Sequence, residues 1–358
     1  MLKGNKGEWG EIYAFCYLLA SGFLQSADKD LNPIEGVYFP IIKIIREEFT
    51  GSEFQYFPGD IIKIYKDTEL KKECTREEFD EIVRLLYSEI PNGSKSFEIP
   101  ETADFMESIF VRKLKADSAH KQDIDIQIHD INTGISPVCG FSIKSFLGSN
   151  PTLINAEKGT NFIYKVSNCD DSIMDNFNGI NSRNKLIDRM EYLNTAGCEL
   201  VFSGMMASGQ FRTNMKYIDT VMPDIIGESL INFYSSGRGT KKVSEVIDEI
   251  AAEDKLELGS ADMYKYKVKL LLCACALGMT PGKSWVGEED ANGGYITVKR
   301  DGSVVCYHIY DRQNFHQYLY DYTYFEKGSS SRHEYMQIYK SNDEYYVNLN
   351  LQVRFLEV

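Results

Sequence analysis

The sequence lacks the features that mark membrane proteins, secreted proteins and zinc proteins. In 358 residues no apolar run approaches the roughly 18 that a membrane-spanning helix needs. The N-terminus has no basic segment, apolar core or cleavage site of a secretion signal, so we expect a cytoplasmic protein without membrane association. The eight cysteines include no C-x2-C pair, and the five histidines show no metal-ligand spacing. This pattern argues against a zinc site and a disulfide framework, and it favours a reduced compartment.

Positive charge is scarce as well. Lysine and arginine number 39 against 53 aspartates and glutamates, which gives a formal net charge of −14. A protein that coats nucleic acid without sequence preference should be basic, because neutralised phosphates supply its affinity. A site-specific nuclease can be acidic overall if its cleft is locally basic. The candidate basic clusters, each also typical of a solvated face, are Arg112, Lys113, Lys115 and Lys121; Arg183, Lys185 and Arg189; Arg238, Lys241 and Lys242; and Lys299 with Arg300.

The chain is long enough for two domains or for one large α/β core with insertions. Its pattern is mostly helical over residues 1–120, with a Thr75-x-x-Glu78 capping box inside that part. We expect residues 121–205 to form a sheet core and residues 206–280 to be helical again. From 281 to 358 the sequence is tyrosine-rich and alternating, which predicts a β-rich region.

Local patterns refine this division. The N-terminal stretch GNKGEWGEIYAFCYLLASG predicts a strongly amphipathic helix. Strands are predicted at Asn161–Ser167 and Glu199–Ser203, both joining the central sheet, and Asp301-Gly302 predicts a hairpin turn. In the final stretch YYVNLNLQVRF the apolar residues Leu349, Leu351, Val353 and Phe355 line one face of a single strand. The polar residues Asn348, Asn350, Gln352 and Arg354 line the other.

The stretch DIDIQIHDINTGISPVCGFSIKS predicts a β-hairpin that carries candidate catalytic side chains. The isoleucines alternate, so Asp123, Asp125 and Gln127 share the opposite face. A turn around Asn132, Gly134 and Pro137 follows, and the next strand projects Ser142 and Lys144 to one side. Phosphodiester hydrolysis needs a carboxylate for Mg²⁺ and a lysine near the attacking water and the phosphate. The pattern resembles the minimal core of the PD-(D/E)xK nucleases, although an ordinary solvated hairpin could share it.

One acidic group of that core is missing, because Ser142 stands where an aspartate or glutamate is usual. Glu8 and Glu11 lie at i and i+3 on the N-terminal helix, so both carboxylates fall on one face. Either could reach the metal from below the hairpin, with Glu11 preferred because it lies deeper in the helix. The alternative is that they only complement the helix dipole. Glu157, downstream of Lys144, is a further candidate or a solvated loop charge.

Several motifs in order resemble the HpaII family of type II restriction endonucleases over nearly the whole chain. They are GNKGEWGEIYAF, ADKDLN, YFPIIKIIREE, DIDIQI, GFSIKSFLGSNPTLINA, TNFIY, GGYITVKRDGSVVCYHIYDR, SSSRHEY and YYVNLNLQVRF. The resemblance implies a Mg²⁺-dependent endonuclease that cuts double-stranded DNA at the palindrome CCGG and leaves 5′-phosphates. It also implies a cytosine methyltransferase as genetic partner, Asp123 as a metal-binding acid and Lys144 as the catalytic lysine. Since the site is two-fold symmetric, we expect a homodimer.

A CCGG site requires residues that read guanine, and arginine does so bidentately in the major groove. Arg332 and His333 lie in the SSSRHEY segment, where serines could hold the DNA backbone. Arg354 lies on the final strand, where an exposed edge strand using charge to avoid aggregation is the alternative. The other candidate DNA contacts are Asn350, Gln352, Lys299 and Ser145.

The expected fold is therefore α/β, with a PD-(D/E)xK-like mixed central sheet flanked by helices and a β-rich C-terminal region. Two other classes of protein stay open. A repair or recombination nuclease of the same superfamily would recognise DNA shape, and a non-catalytic interaction protein would merely carry an acidic hairpin. Incubation with plasmid DNA and Mg²⁺ separates them, through discrete fragments, random nicks or intact DNA.

Overall fold

The computed structural model describes residues 2–49, 51–115, 122–131, 133–205 and 209–357, so Lys121 and Asn132 lie outside the described residues. Within these ranges the chain is a mixture of helices and strands. The α-helices are α1 Lys6–Ser21, α2 Arg76–Glu89, α3 Ala103–Ser108, α4 Asp171–Gly179, α5 Lys185–Thr195, α6 Gln210–Ile218, α7 Met222–Ser235, α8 Val243–Glu253, α9 Ala261–Leu277, α10 Arg312–Asp321 and α11 Ser330–His333. None of the described helices has the length and apolar character to cross a membrane.

The strands are β1 Phe23–Ala27, β2 Pro33–Phe49, β3 Ser52–Phe57, β4 Ile61–Lys66, β5 Glu69–Thr75, β6 Ile124–Ile128, β7 Val138–Ser145, β8 Thr152–Ile154, β9 Asn161–Ser167, β10 Glu199–Met205, β11 Thr240–Lys242, β12 Gly294–Val298, β13 Val304–His308, β14 Thr323–Glu326, β15 Ile338–Ser341, β16 Glu344–Asn350 and β17 Val353–Phe355. Nine of them form one large sheet in the order β1-β13-β12-β7-β6-β2-β3-β4-β5, and β1 also pairs with β2. Two four-stranded sheets, β10-β9-β16-β15 and β11-β14-β17-β8, complete the set.

Two hydrophobic cores lie on opposite sides of the strands that carry the hairpin. One core packs α1 against the inner face of the large sheet and includes Ile124, Ile126 and Phe141. The other core gathers α7 to α10 with the two smaller sheets. Strand β12 serves both cores, because Ile296 belongs to the first and its neighbour Tyr295 to the second. The alternation of a strand therefore joins the two halves of the molecule across one shared sheet.

The N-terminal helix is confirmed, and its cap explains where it begins. Asn5 accepts from the backbone N–H of Glu8, and the Glu8 carboxylate accepts in return from Asn5 N at 2.7 Å. Gly22 ends the helix in the left-handed conformation at φ 78°. The helix is buried on most sides and not only along one stripe, since Ala14, Phe15 and Leu18 are buried together with the predicted face. A helix that is apolar nearly all round belongs inside a core.

The prediction of a mostly helical segment over residues 1–120 is wrong between Phe23 and Thr75, which form β1 to β5. Burial there has a period of two, as in β4, where Ile62 and Ile64 are buried and Ile61 and Lys63 are exposed. Isoleucine-rich alternation favours a pleated surface, and this signal outweighs the helical character of the flanking segments. The capping box before α2 is confirmed.

The strands β9 and β10 are confirmed, but they do not extend the hairpin sheet as predicted. The free edge of β7 is taken by β12, which runs parallel to it with Gly294 opposite Phe141. Since β6 occupies the other edge, β9 has no place there and pairs instead with β10 and β16. The helical character predicted for 206–280 is confirmed from α6 to α9.

The β-rich C-terminal region is confirmed with two changes. Strands β12 and β13 pair across the Asp301-Gly302 turn as predicted, and Val298 lies opposite Val304. An unpredicted helix, α10, follows them. The final stretch is not one strand, because β16 ends at Asn350 in one sheet and β17 begins at Val353 in another. The polar residues along it therefore do not form one continuous face.

Candidate active site

The β6–β7 hairpin forms as the alternation predicts. Ile124, Ile126 and Ile128 are buried, while Asp125 and Gln127 between them are half-buried. Asp123 stands at the start of β6, and its backbone N–H donates to Phe141 O at 2.8 Å. This pairing holds the aspartate at the point where β7 carries its serine and lysine.

The Asp123 carboxylate is fixed by two donors from β7. Ser142 Oγ donates to Asp123 Oδ2 at 3.2 Å, and the backbone N–H of Ile143 donates to the same oxygen at 2.7 Å. Ser142 is fully buried, so its hydroxyl needs a hydrogen-bond partner within the protein, and Asp123 is that partner. The serine orients the aspartate, and it does not replace the carboxylate that is usual at its position.

Glu11 reaches the same place from α1. The helix lies close against β7 because Gly10 has no side chain: a Cβ there would lie 2.4 Å from Ser145 Cβ. Glu11 Oε2 is buried and has no hydrogen-bond partner among the described residues. Burial raises the pKa of Glu11 to about 8, and the nearby Asp123 carboxylate adds to the rise. The carboxylates of Glu11 and Asp123 thus meet at the hairpin.

Positive charge surrounds this pair. Lys144, Lys115 and Arg46 each lower the pKa of Glu11, in that order of strength, against the effect of burial. Lys144 is half-buried on β7, opposite Thr297 of β12, and its Nζ donates to Ile143 O at 3.1 Å. A lysine beside two carboxylates is the arrangement that the sequence led us to expect.

Part of this positive charge is positioned by a buried hydrogen-bond network, which the sequence did not reveal. Arg46 donates through Nε to Glu48 at 2.7 Å and through a terminal nitrogen to Lys113 O at 2.8 Å. Glu48 in turn accepts from the backbone N–H groups of Arg112 and Lys113 at 2.7 and 3.2 Å. Both side chains are almost fully buried. The network anchors the segment that ends near Lys115, and contacts between residues so distant in sequence leave no local pattern.

The two carboxylates fit a divalent cation in part. In the described residues no cluster of three or more histidine, cysteine, aspartate or glutamate side chains could hold a metal. Mg²⁺, however, commonly binds through one or two carboxylates and completes its shell with water and substrate phosphate. The partnerless Oε2 of Glu11 beside Asp123 is the kind of buried oxygen that such an ion would satisfy.

The other acidic candidates have different surroundings. Glu8 is occupied by the capping box of α1, so its carboxylate serves the helix terminus. Asp125 lies two residues after Asp123, and its two carboxylate oxygens accept from Gln122 Nε2 at 3.0 and 3.1 Å. Glu157 caps the short turn that begins at Lys158 and lies beside Gly282, outside the groups that act on Glu11. Glu11 is therefore the acid that the fold brings to Asp123.

Three of the candidate DNA contacts, Asn350, Arg354 and Ser145, are engaged in contacts within the fold. Asn350 is 1% exposed, and its amide donates to Glu157 O and Asn161 Oδ1 at 2.8 and 2.7 Å. Arg354 pairs with Glu326 at 3.2 Å and also donates to Asn150 O, joining β17 to its neighbours. Ser145 is buried under α1, against Gly10. The alternation of the final stretch did not reveal that a second sheet and neighbouring loops cover its polar face.

The remaining candidates lie at the surface. Arg332 is exposed on α11, and His333 beside it is half-buried with a pKa lowered by burial and by the Arg332 charge. Gln352 is half-buried and lies near Gly328, whose Cβ would be 2.9 Å from its Oε1. Lys299 follows the end of β12 and is 3.8 Å from Asp301 in the same turn. Arg332 is the arginine of this set that the fold leaves exposed.

Comparison with known proteins gives a consistent result over nearly the full length. The family model of the HpaII restriction endonuclease matches residues 5–355. The type II restriction enzyme HpaII of Haemophilus parainfluenzae is 39% identical over 363 aligned positions, covering 99% of this chain and 99% of that enzyme. No solved structure matches the chain.

Proposed function

The chain belongs to the HpaII restriction endonuclease family, and from this membership we propose that it cuts double-stranded DNA at the palindrome CCGG with the help of Mg²⁺. As a member of the family it is a type II restriction endonuclease, a site-specific deoxyribonuclease. The observation that carries the mechanism is the meeting of Glu11, Asp123 and Lys144 at the hairpin. Two carboxylates that can hold a metal ion and a lysine near the phosphate are a set that can support phosphodiester hydrolysis.

Asp123 and Glu11 would hold the metal ion, and they supply the two negative charges that a divalent cation needs. When bound, Mg²⁺ would stabilise the negative charge that develops on the scissile phosphate. The high pKa of Glu11 favours its protonated form in the metal-free protein at neutral pH. As a metal ligand Glu11 would have to give up this proton, and metal affinity would then depend on pH.

Lys144 would act on the attacking water and on the phosphate. Its ammonium group lies beside the two carboxylates, so it can hold a phosphate oxygen or orient the water for in-line attack. Ser142 would contribute indirectly, since its hydroxyl and the Ile143 N–H fix one oxygen of Asp123. Positioning of this kind, with electrostatic stabilisation, accounts for most of the catalysis in phosphoryl transfer.

We propose that the core is of the PD-(D/E)xK type, with the acid usually found before the lysine supplied by Glu11. The antiparallel β6–β7 hairpin, the parallel neighbour β12 and the helix α1 behind them support this assignment. The large sheet would carry catalysis, and the region from 281 to 358 would contribute recognition through Arg332, His333, Gln352 and Lys299. The division at residues 120, 205 and 280 is part of the same proposal.

Two copies of the chain would act together on the symmetric site, one for each strand. A cytosine methyltransferase that modifies the same sequence would protect the DNA of the host, without a stable complex between the two proteins. The setting of both would be the cytoplasm, where the DNA of a restriction system is found. These expectations rest on the family and on the two-fold symmetry of CCGG.

Digestion of a plasmid of known sequence tests the proposal. With Mg²⁺ the protein should give fragments whose ends all map to CCGG, and the same plasmid methylated at that sequence should remain intact. Chelation of the metal should stop the reaction, and its return should restore it. Random nicks would point to a structure-selective nuclease, and intact DNA in every condition would leave only a binding function.

A further inference from the structure

A basic cavity lies outside the candidate active site, between the segment that leads into α5 and the loop after β14. Its volume is about 270 Å³. Arg183 and Lys185 line one wall, and Lys327, Ser329 and Ser331 line the other. The lining includes no aspartate or glutamate. Three cationic side chains and three serines therefore line one open cavity from two separate parts of the chain.

The three cations have no compensating charge in the part of the chain that the structure describes. Neither Arg183, Lys185 nor Lys327 lies within 4.0 Å of a described carboxylate, whereas Lys241 and Arg354 both form ion pairs. The chain carries a net charge of −14, so unpaired positive charge gathered at one place is unexpected for an ordinary surface. Such a concentration raises the local density of anions.

The lack of a compensating negative charge has its largest effect on Lys327. Its ammonium lies over the rings of Phe233 and Tyr234, 5.3 Å from each centroid, and donates only to Tyr234 O at a long 3.5 Å. Burial lowers its pKa to about 8. A desolvated ammonium without a compensating negative charge is costly, and an anion in the cavity would lower that cost.

Neighbouring groups distinguish this cavity from the rest of the predicted basic cluster around α5. Arg189 is buried and donates to the backbone carbonyls of Asn178 and Ile180, so its charge serves the fold. Two acids lie close along the chain, and neither lines the cavity. Asp188 accepts from Ser182 Oγ, and Glu326, next to Lys327, pairs with Arg354 at 3.2 Å. The positive groups that remain available are those on the cavity wall.

We propose that this cavity binds one backbone phosphate of the DNA duplex, an inference that rests on the proposed function. A guanidinium fork, two ammonium groups and serine hydroxyls offer donors from several directions, which suits a phosphate better than a planar carboxylate. Ser331 is adjacent to Arg332 on α11. A phosphate held here fixes the position of the duplex relative to Arg332 and His333, and in this way sets the register for base reading.

The test uses charge-removing variants of the full-length protein. Lys327→Met keeps the apolar stem over the two rings, and Arg183→Gln and Lys185→Gln change side chains at the surface. Lys216→Gln, on the exposed face of α6, removes the same charge outside the cavity and is the control. Binding to a CCGG duplex and to an unrelated duplex is measured in Ca²⁺ over a range of salt concentrations, after thermal melts verify that each variant folds.

One bound phosphate makes a quantitative prediction. The triple variant should bind both duplexes about tenfold more weakly or worse, since it loses a charge-assisted contact. The slope of log K against log salt should fall by about one unit in total, and not by three. The control should match the wild type. If the slope falls by about three units, the three cations make separate contacts on an open face. If the slope does not change, the cavity does not contact the DNA. Either result overturns the inference.

A chemical scan of the duplex gives an independent result. Uncharged methylphosphonates replace the backbone phosphates one at a time, and binding to wild type and triple variant is compared. At one position per half-site the wild type should lose affinity and the triple variant should not. If every position weakens both proteins alike, the cavity holds no phosphate. A wild type that binds no duplex at all removes the proposed function together with this inference, whereas a binding wild type with unaffected variants removes the inference alone.

Discussion

Glu11 and Asp123 bring two carboxylates into one partly buried site, although they lie on the first helix and directly before the sixth strand. Burial and then the Asp123 charge raise the pKa of Glu11 to about 8. Gly10 makes the approach possible, because α1 can lie directly against Ser145 of β7. This relationship supplies the acidic group that Ser142 lacks, and most of the predictions below depend on it.

The first prediction concerns the reacting groups. Asp123→Ala and Lys144→Ala should each lower cleavage of CCGG at least about 10²-fold, because each removes a charge needed in the transition state. Binding of the same duplex in Ca²⁺ should survive. Asp125→Ala is the matched control, since Asp125 accepts a hydrogen bond from Gln122, just before β6, and the loss of activity in this variant should be smaller. Cleavage at the wild-type rate by either main variant would exclude that residue from catalysis.

The second prediction separates the serine from the missing acid. Ser142→Ala removes one of the two bonds to Asp123 Oδ2 and leaves that of Ile143, so activity should fall by no more than about tenfold. Glu11→Gln should abolish most of the activity, and Glu157→Gln should not. Initial rates on a plasmid with a single site decide the order. If Ser142→Ala loses most of its activity while Glu11→Gln remains active, the role of α1 is purely structural.

Sequence alone predicted the hairpin and the first helix because both rest on local periodicity. The alternating isoleucines of β6 and the capped apolar run of α1 specify their elements without help from distant residues. The sequence also placed Glu8 and Glu11 on one face, and it favoured Glu11 only because that residue lies deeper in the helix. That choice depends on the side chain of Glu8, which returns to Asn5, and on Gly10, whose missing Cβ admits a strand from far along the chain.

The errors come from non-local pairing. Nothing local indicates that β12 occupies the edge of β7, and so the sequence placed β9 there. Asn350 and Arg354 looked like exposed polar residues because their partners, such as Glu157 and Glu326, lie elsewhere in the chain. The sequence did not identify Lys327 as a candidate binding residue. Its surroundings, the aromatic ring beneath it and the cations across the cavity, come from distant parts of the chain.

The third prediction follows from the pKa of Glu11 and concerns the metal-free protein. The folded state holds a proton on Glu11 up to about pH 8, while the unfolded chain releases it near the ordinary value of 4.5. The folded state therefore binds more protons in this window, and its stability falls as pH rises through it. Glu11→Gln removes the effect, so its gain in melting temperature over wild type, measured in chelator, should be larger at about pH 8.5 than at about pH 5. An equal gain at both values would contradict the buried, proton-holding carboxylate.

The fourth prediction concerns the contact that brings α1 to the hairpin. Gly10→Ala places a methyl group where Ser145 Cβ is 2.4 Å away, and overpacking of this kind costs about 1–3 kcal/mol. The helix must shift, so cleavage should fall together with the melting temperature. Ser145→Gly in the same chain removes the clashing atom and should restore much of both. If Gly10→Ala cleaves and melts like the wild type, the close packing of α1 does not position Glu11.

The last prediction distinguishes the two arginines that the sequence offered as guanine readers. Arg332 is exposed on α11, whereas Arg354 is committed to Glu326 and Asn150. Arg332→Ala should cost about 1–3 kcal/mol in binding to CCGG and little in binding to a duplex with one base pair changed. Arg354→Ala should instead lower the melting temperature, because it breaks a partly buried ion pair, and should weaken both duplexes alike. Binding of each variant to the two duplexes at two salt concentrations provides the measurement. Equal weakening of both duplexes by Arg332→Ala would mean that another residue reads the guanines. His333 and Gln352, whose side chains both lie near Gly328, would be the next to test.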